Sequence, residues 1–414
     1  MVTKYDVFEA VYANGQPIKP IDVAKRFKKN KSEYDNIHRL LTELTREDLL
    51  TKTSYGFQVK KTENANLLYQ IIYHCLRNDI NYNNLLNPGL AQFIGRAWKK
   101  KEITSSDVNL HAVTLRKYID ILYKSGLLLV ISEKPLRIKV FYNVLLNNLL
   151  VYFGYKHIVI TEDTTGYLGE IEKECVKFRK LKRENESKYQ QIITEFEVSF
   201  IHHSLALEGN PITLNETKRI LKDKIIPTNL KSEDVDEVKN YQKALLRMLK
   251  DSYDKNALTL QTILDYHSLA MQHNPDIAGK IRKIEVHISG NSSFKITRAK
   301  NIEREFEDLI RKYNEFIKRG RASLKEILDF AVYFHNEFQH IHPFEDGNSR
   351  TTRLITFHLL QSKDIPILDI PFGLLDEYLS YTKGARVRED KNLLSNLQKI
   401  ILFNLKKINE KLSQ

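Results

Sequence analysis

The sequence predicts a mainly α-helical protein: a helical C-terminal core with a β-hairpin flap, preceded by two winged helix-turn-helix units. Three observations carry this. Apolar residues recur at helical spacing through most of the chain. Capping boxes at Thr213–Glu216 and Ser323–Glu326 open two of the C-terminal helices. The order helix, helix, helix, strand, strand occurs twice before residue 150, and one further strand pair is written at Lys283–Ile296.

In the first unit, residues 4–14 place Val7, Phe8 and Val11 on one face, and Asn14-Gly15 ends the helix. Pro20 opens a short helix through Phe27, and a turn follows at Lys29–Lys31. Glu33–Thr45 carries Ile37, Leu40, Leu41 and Leu44 at helical spacing, and Leu49–Lys52 with Gly56–Val59 reads as a hairpin. The second unit repeats the order with helices at Asn66–Arg77, Pro88–Trp98 and Val113–Lys124, then strands at Leu127–Ser132 and Arg137–Tyr142. The reading divides the chain into residues 1–62, 63–150, a connecting helix at 151–190 and a helical domain at 191–414. Tyr155–Thr164 reads as a short strand and loop, and the stripe of Leu168–Tyr189 is too broken for a dimer coil.

Charge is unevenly placed. The net charge is +13, of which residues 1–150 hold +9 and residues 151–414 hold +4. A basic region beside a nearly balanced one predicts an acidic partner, with DNA at residues 1–150 as the candidate. His38, Arg39, Arg116 and Lys117 would then reach bases or phosphates. The chain has two cysteines, far apart and without metal-ligand spacing, which predicts a reducing cytoplasmic setting. The most apolar run, Val144–Phe153, is interrupted by Asn147 and Asn148 and is too short to span a bilayer, so no membrane association is expected. A homodimer stays open.

Two stretches carry chemistry. Ile192–Leu207 reads as a packed helix ending in Ser204-Leu-Ala-Leu-Glu208-Gly209-Asn210. Ser204 and Glu208 share a helix face. Glu208 sits at a helix C-terminus, where the macrodipole disfavours an anion, so a cationic partner is expected elsewhere in the fold. Gly209 suits the left-handed conformation that ends a helix. The second stretch begins after the helix that Ser323 opens, which must stop before Pro343. It reads His342-Pro-Phe344-Glu-Asp346-Gly347-Asn348-Ser349-Arg350-Thr-Thr-Arg353. A histidine titrating near neutrality suits a general base. Asp346 is a hard oxygen ligand suited to Mg²⁺. Gly347 and Asn348 lie at a helix N-terminus that can bind phosphate, with Asn348 as its cap. Arg350 and Arg353, three apart, can neutralise polyphosphate by paired hydrogen bonds.

That second stretch resembles the Fic motif, HxFx(D/E)GNGRxxR, at every defined place but Ser349. Ser204-xxx-Glu208-Gly209 resembles the family's inhibitory motif, (S/T)xxxE(G/N), placed N-terminal to the core. Gly279-x-x-Arg282 with Val286-His-Ile288 resembles its target-docking flap. The resemblance covers about residues 192–403 and implies an autoinhibited, Mg²⁺–ATP-dependent protein adenylyltransferase. His342 would deprotonate a target Ser, Thr or Tyr hydroxyl, Asp346 would hold Mg²⁺, and Gly347, Asn348, Ser349 and Arg350 would contact the α- and β-phosphates. Arg353 would take the γ-phosphate unless Glu208 occupies it. Tyr378 or Tyr381 would flank the adenine, and Phe344 would anchor the loop. A target protein would dock on Lys283–Ile296. Ser349 adds a Cβ and a hydroxyl where the family has glycine, so γ-phosphoryl transfer is the alternative within the fold. A nucleotide-sensing DNA-binding regulator is the alternative outside catalysis.

Overall fold

The computed structural model describes all residues except 1, 29–32, 99, 101, 158–163, 289, 290, 292, 293, 367, 368 and 384–389. It divides into two units, residues 1–124 with 142–160, and residues 125–141 with 161–414.

The first unit opens with α1 (Lys4–Asn14), α2 (Pro20–Arg26) and α3 (Tyr34–Arg46), followed by an antiparallel hairpin of β1 (Leu50–Thr53) and β2 (Gly56–Val59) in the register Leu50↔Val59. Local chemistry explains the boundaries. Thr3 and Asp6 form a capping box at the start of α1, Gly15 ends it at φ 68°, and Pro20 fills the first position of α2. Val7, Phe8, Ile37, Leu41 and Leu44 fill the core between these elements. The unit continues with α4 (Glu63–Arg77), α5 (Tyr82–Leu85), α6 (Pro88–Ala97), β3 (Ile103–Thr104), α7 (Ala112–Lys124) and α8 (Val144–Tyr152). The turn expected at 29–31 lies outside the described residues, as does most of the strand expected at 155–164.

The second unit begins with the antiparallel hairpin β4 (Leu128–Glu133) and β5 (Leu136–Val140). The stretch read as a connecting helix is α9 (Leu168–Glu184), which stops at Asn185 and gives way directly to α10 (Glu186–Ala206). It is integral to the unit. Ile171, Cys175 and Phe178 are buried, and Glu174 accepts a hydrogen bond from Asn409 at 2.8 Å on the last helix. The succeeding helices are α11 (Leu214–Lys218), α12 (Ser232–Tyr253), α13 (Leu260–Ala270), α14 (Ile302–Lys318), α15 (Leu324–Ile341), α16 (Asn348–Ser362), α17 (Leu375–Tyr381) and α18 (Asp390–Ser413). Of these, α16 is the central element. From Arg350 to Ser362 every residue is buried, so its polar side chains must find partners inside the protein. Among the described residues, no helix is long and apolar enough to cross a membrane.

One expectation is corrected. Residues 283–288 and 294–296 form no strand among those described, and part of the intended turn lies outside them. The two limbs are tied to Arg282 and to the end of α15. The Arg282 guanidinium donates to the carbonyls of Ile284 at 2.8 Å and Thr297 at 2.5 Å. The backbone N–H groups of Arg282 and Thr297 donate to Pro343 and His340, each at 2.9 Å. A two-stranded ribbon is marginal by itself, and here the side-chain anchor replaces its ladder.

Candidate active site

The helix that leads to His342 ends where proline requires. Ser323 and Glu326 cap the start of α15 reciprocally. At its other end His342 takes φ 49°, a left-handed conformation that is uncommon for a residue with a side chain. Two contacts hold it there. The His342 N–H donates to the Phe338 carbonyl at 2.9 Å, and Arg282 Nε donates to the His342 carbonyl at 2.7 Å. Such a conformation costs of order 1–3 kcal/mol and persists where the surroundings over-determine it. Burial, reinforced by the Arg282 guanidinium, pulls the His342 imidazole down to about 4. The ring is therefore neutral at pH 7, the state a proton acceptor needs.

The loop is pinned from beneath. Phe344 is fully buried and stacks on His267 with ring centroids 3.7 Å apart. The Gly279 N–H donates to His267 Nδ1 at 2.9 Å, so Nε2 carries the proton and donates to the Asp346 carbonyl at 2.9 Å. Gly347 lies at φ 78°, and a Cβ there would meet Met271 Sδ at 2.9 Å, so glycine serves both conformation and space. Asn348 is not the helix cap. It is the first residue of α16, and its amide clamps the Phe344 backbone, accepting from its N–H at 3.0 Å and donating to its carbonyl at 2.8 Å. Gly347 takes the cap position and no side chain caps the helix. The first N–H groups of α16 thus stay directed at the loop, an arrangement suited to an anion. Ser349 lies within α16 in helical geometry, so its position demands no glycine backbone.

Both arginines are engaged by carboxylates. Arg353 is 3% exposed, and its Nε donates to Ser204 Oγ at 2.6 Å. Its Nη2 donates to the Ser204 carbonyl and to Glu208 Oε1, each at 2.9 Å. Lys383 reaches the other Glu208 oxygen at 3.4 Å. Burial by itself would raise the Glu208 pKa, but Arg353 above all, with Lys383 and Arg350, holds the carboxyl below its usual range. Glu208 is therefore ionised at neutral pH and supplies the ion pair expected of an acid at a helix C-terminus. Gly209 follows at φ 97°. Arg350 bridges two acids, Glu237 on α12 and Asp346, the latter at 2.9 Å. The Asp346 side chain remains 63% exposed.

Several participants were not expected from sequence. Glu237 pairs with Arg350 and also accepts from Asn210 Nδ2 at 2.7 Å. Tyr241, one turn further along α12, accepts from Ser204 Oγ at 2.8 Å and donates to the Arg350 carbonyl at 3.2 Å. Their i, i+4 spacing on α12 was the available signal, though nothing in it names the partner. Tyr378 is one of the two tyrosines expected to flank an adenine. It is only 7% exposed because its hydroxyl is drawn inward to His335 Nε2 at 2.7 Å, and Tyr381 is likewise buried.

Two expected results follow from these contacts. Glu237→Ala leaves the Arg350 guanidinium, 5% exposed, with one ion-pair partner fewer. The expected loss of stability is about 3 kcal/mol by urea titration, since breaking a buried pair strands a charge. An unchanged midpoint would contradict the pairing. The second concerns acid. Burial lowers the pKa values of His267, His335 and His358 to about 4 each. Their folded-state values lie below the unfolded reference of about 6.5, so between those limits the unfolded chain binds more protons. Stability should be fully present above pH 6.5 and decline as pH falls toward 4, by about 2 kcal/mol per histidine at pH 5. Thermal melts from pH 7.5 to 5 measure this, and a flat melting temperature would refute it.

Comparison with known proteins follows the same geometry. Residues 257–360 match the Fic/DOC family model. "Protein adenylyltransferase Fic" of Drosophila persimilis is 26% identical over 186 residues, 45% of this chain and 35% of that protein. Its counterpart in Drosophila erecta is 27% identical over 186 residues, with 36% of that protein covered. The matched region thus spans about a third of the length of these curated relatives. A Fic domain containing signaling protein of Bacteroides thetaiotaomicron aligns with a TM-score of 0.52 at 20% identity, covering 59% of this chain and 97% of that one. Motif, family match and shared fold agree: the chain carries a Fic domain.

Proposed function

We propose that this chain is a protein adenylyltransferase that transfers AMP from ATP to a hydroxyl of a target protein or of itself, and that Glu208 holds it inactive. The observation that carries the reading is the occupancy of Arg353 by Glu208 and Ser204 beside an uncapped helix N-terminus and a neutral histidine. In the reaction, His342 takes the proton of a Ser, Thr or Tyr hydroxyl as its oxygen attacks the α-phosphorus. The bond from that phosphorus to the bridging oxygen breaks, and pyrophosphate leaves. The N–H groups at the start of α16 and the two arginines stabilise the charge on the phosphates. Asp346 fits Mg²⁺, because its exposed carboxylate adjoins the phosphate site and Mg²⁺ ordinarily uses one or two carboxylates beside phosphates and waters. The metal would supply further neutralisation of phosphate charge.

The test is transfer from α-labelled and γ-labelled ATP in parallel, using the Glu208→Gly protein. Retention of the α label alone supports AMP transfer. Retention of the γ label would replace it with phosphoryl transfer, the outcome that Ser349 keeps in view. Docking of the target on residues 283–296 and DNA contact by residues 1–150 belong to the same proposal. The +9 charge of residues 1–150 supports the latter. Affinity for a duplex should then fall steeply between 50 and 200 mM salt, and salt-independent binding would exclude phosphate contacts.

A further inference from the structure

A cleft of about 500 Å³ lies among the ends of α9, α10, α12 and α16. Its wall includes Gln361 at the C-terminal end of α16. Gln361 lies thirteen positions after Asn348 along the helix, about 20 Å at the standard rise, so the cleft is remote from the catalytic loop. Its volume is that of a small-molecule site.

Its chemistry is selective. Arg179, Lys182, Arg183 and Lys255 contribute four cations against the two carboxylates of Glu186 and Asp364. The Glu186 carboxylate already accepts from Gln190 at 3.1 Å. None of the four cations makes an ion pair among the described residues, although salt bridges are frequent elsewhere in this unit. Lys182 Nζ lies 4.7 Å from the ring centroid of Tyr189 and 5.8 Å from that of Tyr253. The Tyr253 ring is 41% exposed and offers a face for stacking. Gln361 is 8% exposed; its side chain hydrogen-bonds the hydroxyls of Tyr189 and Tyr253, while its buried oxygen has no hydrogen-bond partner. A buried acceptor left unsatisfied is unfavourable, and a ligand N–H or O–H would satisfy it.

We infer that this cleft is a second ligand site for a small planar aromatic anion of nucleoside monophosphate size. The anionic group sits among Arg179, Lys182 and Arg183, the ring stacks on Tyr253, and a donor on the ring meets Gln361. Burial of a cation-bound phosphate beside an aromatic face accounts for the unpaired cations and gives the open Gln361 oxygen a donor. Inorganic phosphate would leave Tyr253 and Gln361 unused, and a neutral nucleoside would leave the cations unused.

The site does not depend on the catalytic reading, and its test is separate. The full chain is photolabelled with 8-azidoadenosine monophosphate and the modified peptides are identified. Labelling is expected on peptides containing Tyr189 or Tyr253. Competition is expected from AMP and GMP, with adenosine and inorganic phosphate at least tenfold weaker. Arg179 is exposed and Lys182 half-buried. Arg179→Glu and Lys182→Glu should therefore fold normally by thermal melt and weaken labelling tenfold or more, while His342→Ala labels as wild type does. Labelling confined to residues 342–353 would overturn the inference, as would labelling unchanged in both glutamate variants. Equal competition by inorganic phosphate would overturn the aromatic part. Each of these outcomes leaves the α-labelled ATP result unaffected.

Discussion

If the proposed inhibition holds, the Glu208→Gly protein is expected to transfer label from α-labelled ATP about ten- to a hundredfold faster than the wild-type chain. Arg353 donates to the hydroxyl and carbonyl of Ser204 and to Glu208, and among the described residues Glu208 is its partner with a full negative charge. A γ-phosphate must displace that carboxylate to reach the guanidinium. The competition is intramolecular and nearly desolvated, with the Glu208 side chain 14% exposed. Close charge pairs in such surroundings have coupling energies of about 1.5 kcal/mol upward, and 1.4 kcal/mol is tenfold, which sets the expected range. Stability should move the other way. Without Glu208 the buried Arg353 keeps Ser204 but has no counter-charge, so the melting temperature falls when ATP is absent. Addition of ATP should then raise it further than in the wild-type chain, because binding energy is no longer spent on expelling Glu208. Glu208→Gln keeps the shape and removes the charge, so its activity should lie between the two. Equal transfer by all three proteins would end the inhibitory assignment, and would do so without touching the assignment of His342.

The need of Glu208 for a cationic partner was legible through a local rule, and the motif resemblance named Arg353 as that partner. An acid at a helix C-terminus lacks a favourable field, and Arg353 was one of two cations placed beside an anion site. The α15–loop–α16 geometry was legible for the same reason, through Ser323, Pro343 and Gly347. What escaped were contacts closed by the tertiary fold. Glu237 stands in a run of acids at the start of α12, Glu233-Asp-Val-Asp-Glu237, where a solvated face is the ordinary reading. Only its position 113 residues from Arg350 along the chain, brought into contact by packing, gives it a role. The role of Arg282, named only as part of the flap motif, escaped in the same way. Its neighbours Lys283 and Lys280 read as surface charge, yet its guanidinium is buried and gathers carbonyls from the segment that follows it and from the end of α15. That anchor also explains the missing strand pair at 283–296, since alternation and turn residues report propensity and not competition from a side chain. Asn348 was misplaced by one position, because a glycine in the left-handed conformation and an asparagine can each begin a helix. The amide was needed more at Phe344.

Replacing His342 with alanine in the Glu208→Gly background should lower kcat for AMP transfer by about 10²–10⁴-fold, the usual contribution of a positioned general base. ATP affinity should change little, because no phosphate contact is assigned to this side chain. Alanine also has to occupy φ 49°. His342→Asn is therefore the better control, as asparagine tolerates that conformation. Equal losses in both variants, with an unchanged thermal shift on adding ATP, would locate the effect in proton transfer. The pH profile gives a sharper criterion. Burial and Arg282 bring the imidazole to about 4, so the active neutral form persists well below the usual histidine range. As pH falls the rate should hold until about pH 5 and then drop as the base protonates, whereas an unperturbed histidine would lose activity around 6.5. Arg282→Met removes the nearby cation and one anchor of the His342 carbonyl. The acidic limb should then shift upward toward 6.5, and kcat should fall as the left-handed turn loosens. An acidic limb already at 6.5 in the parent protein would show that the imidazole is solvated during turnover, and the depressed pKa would have no part in catalysis.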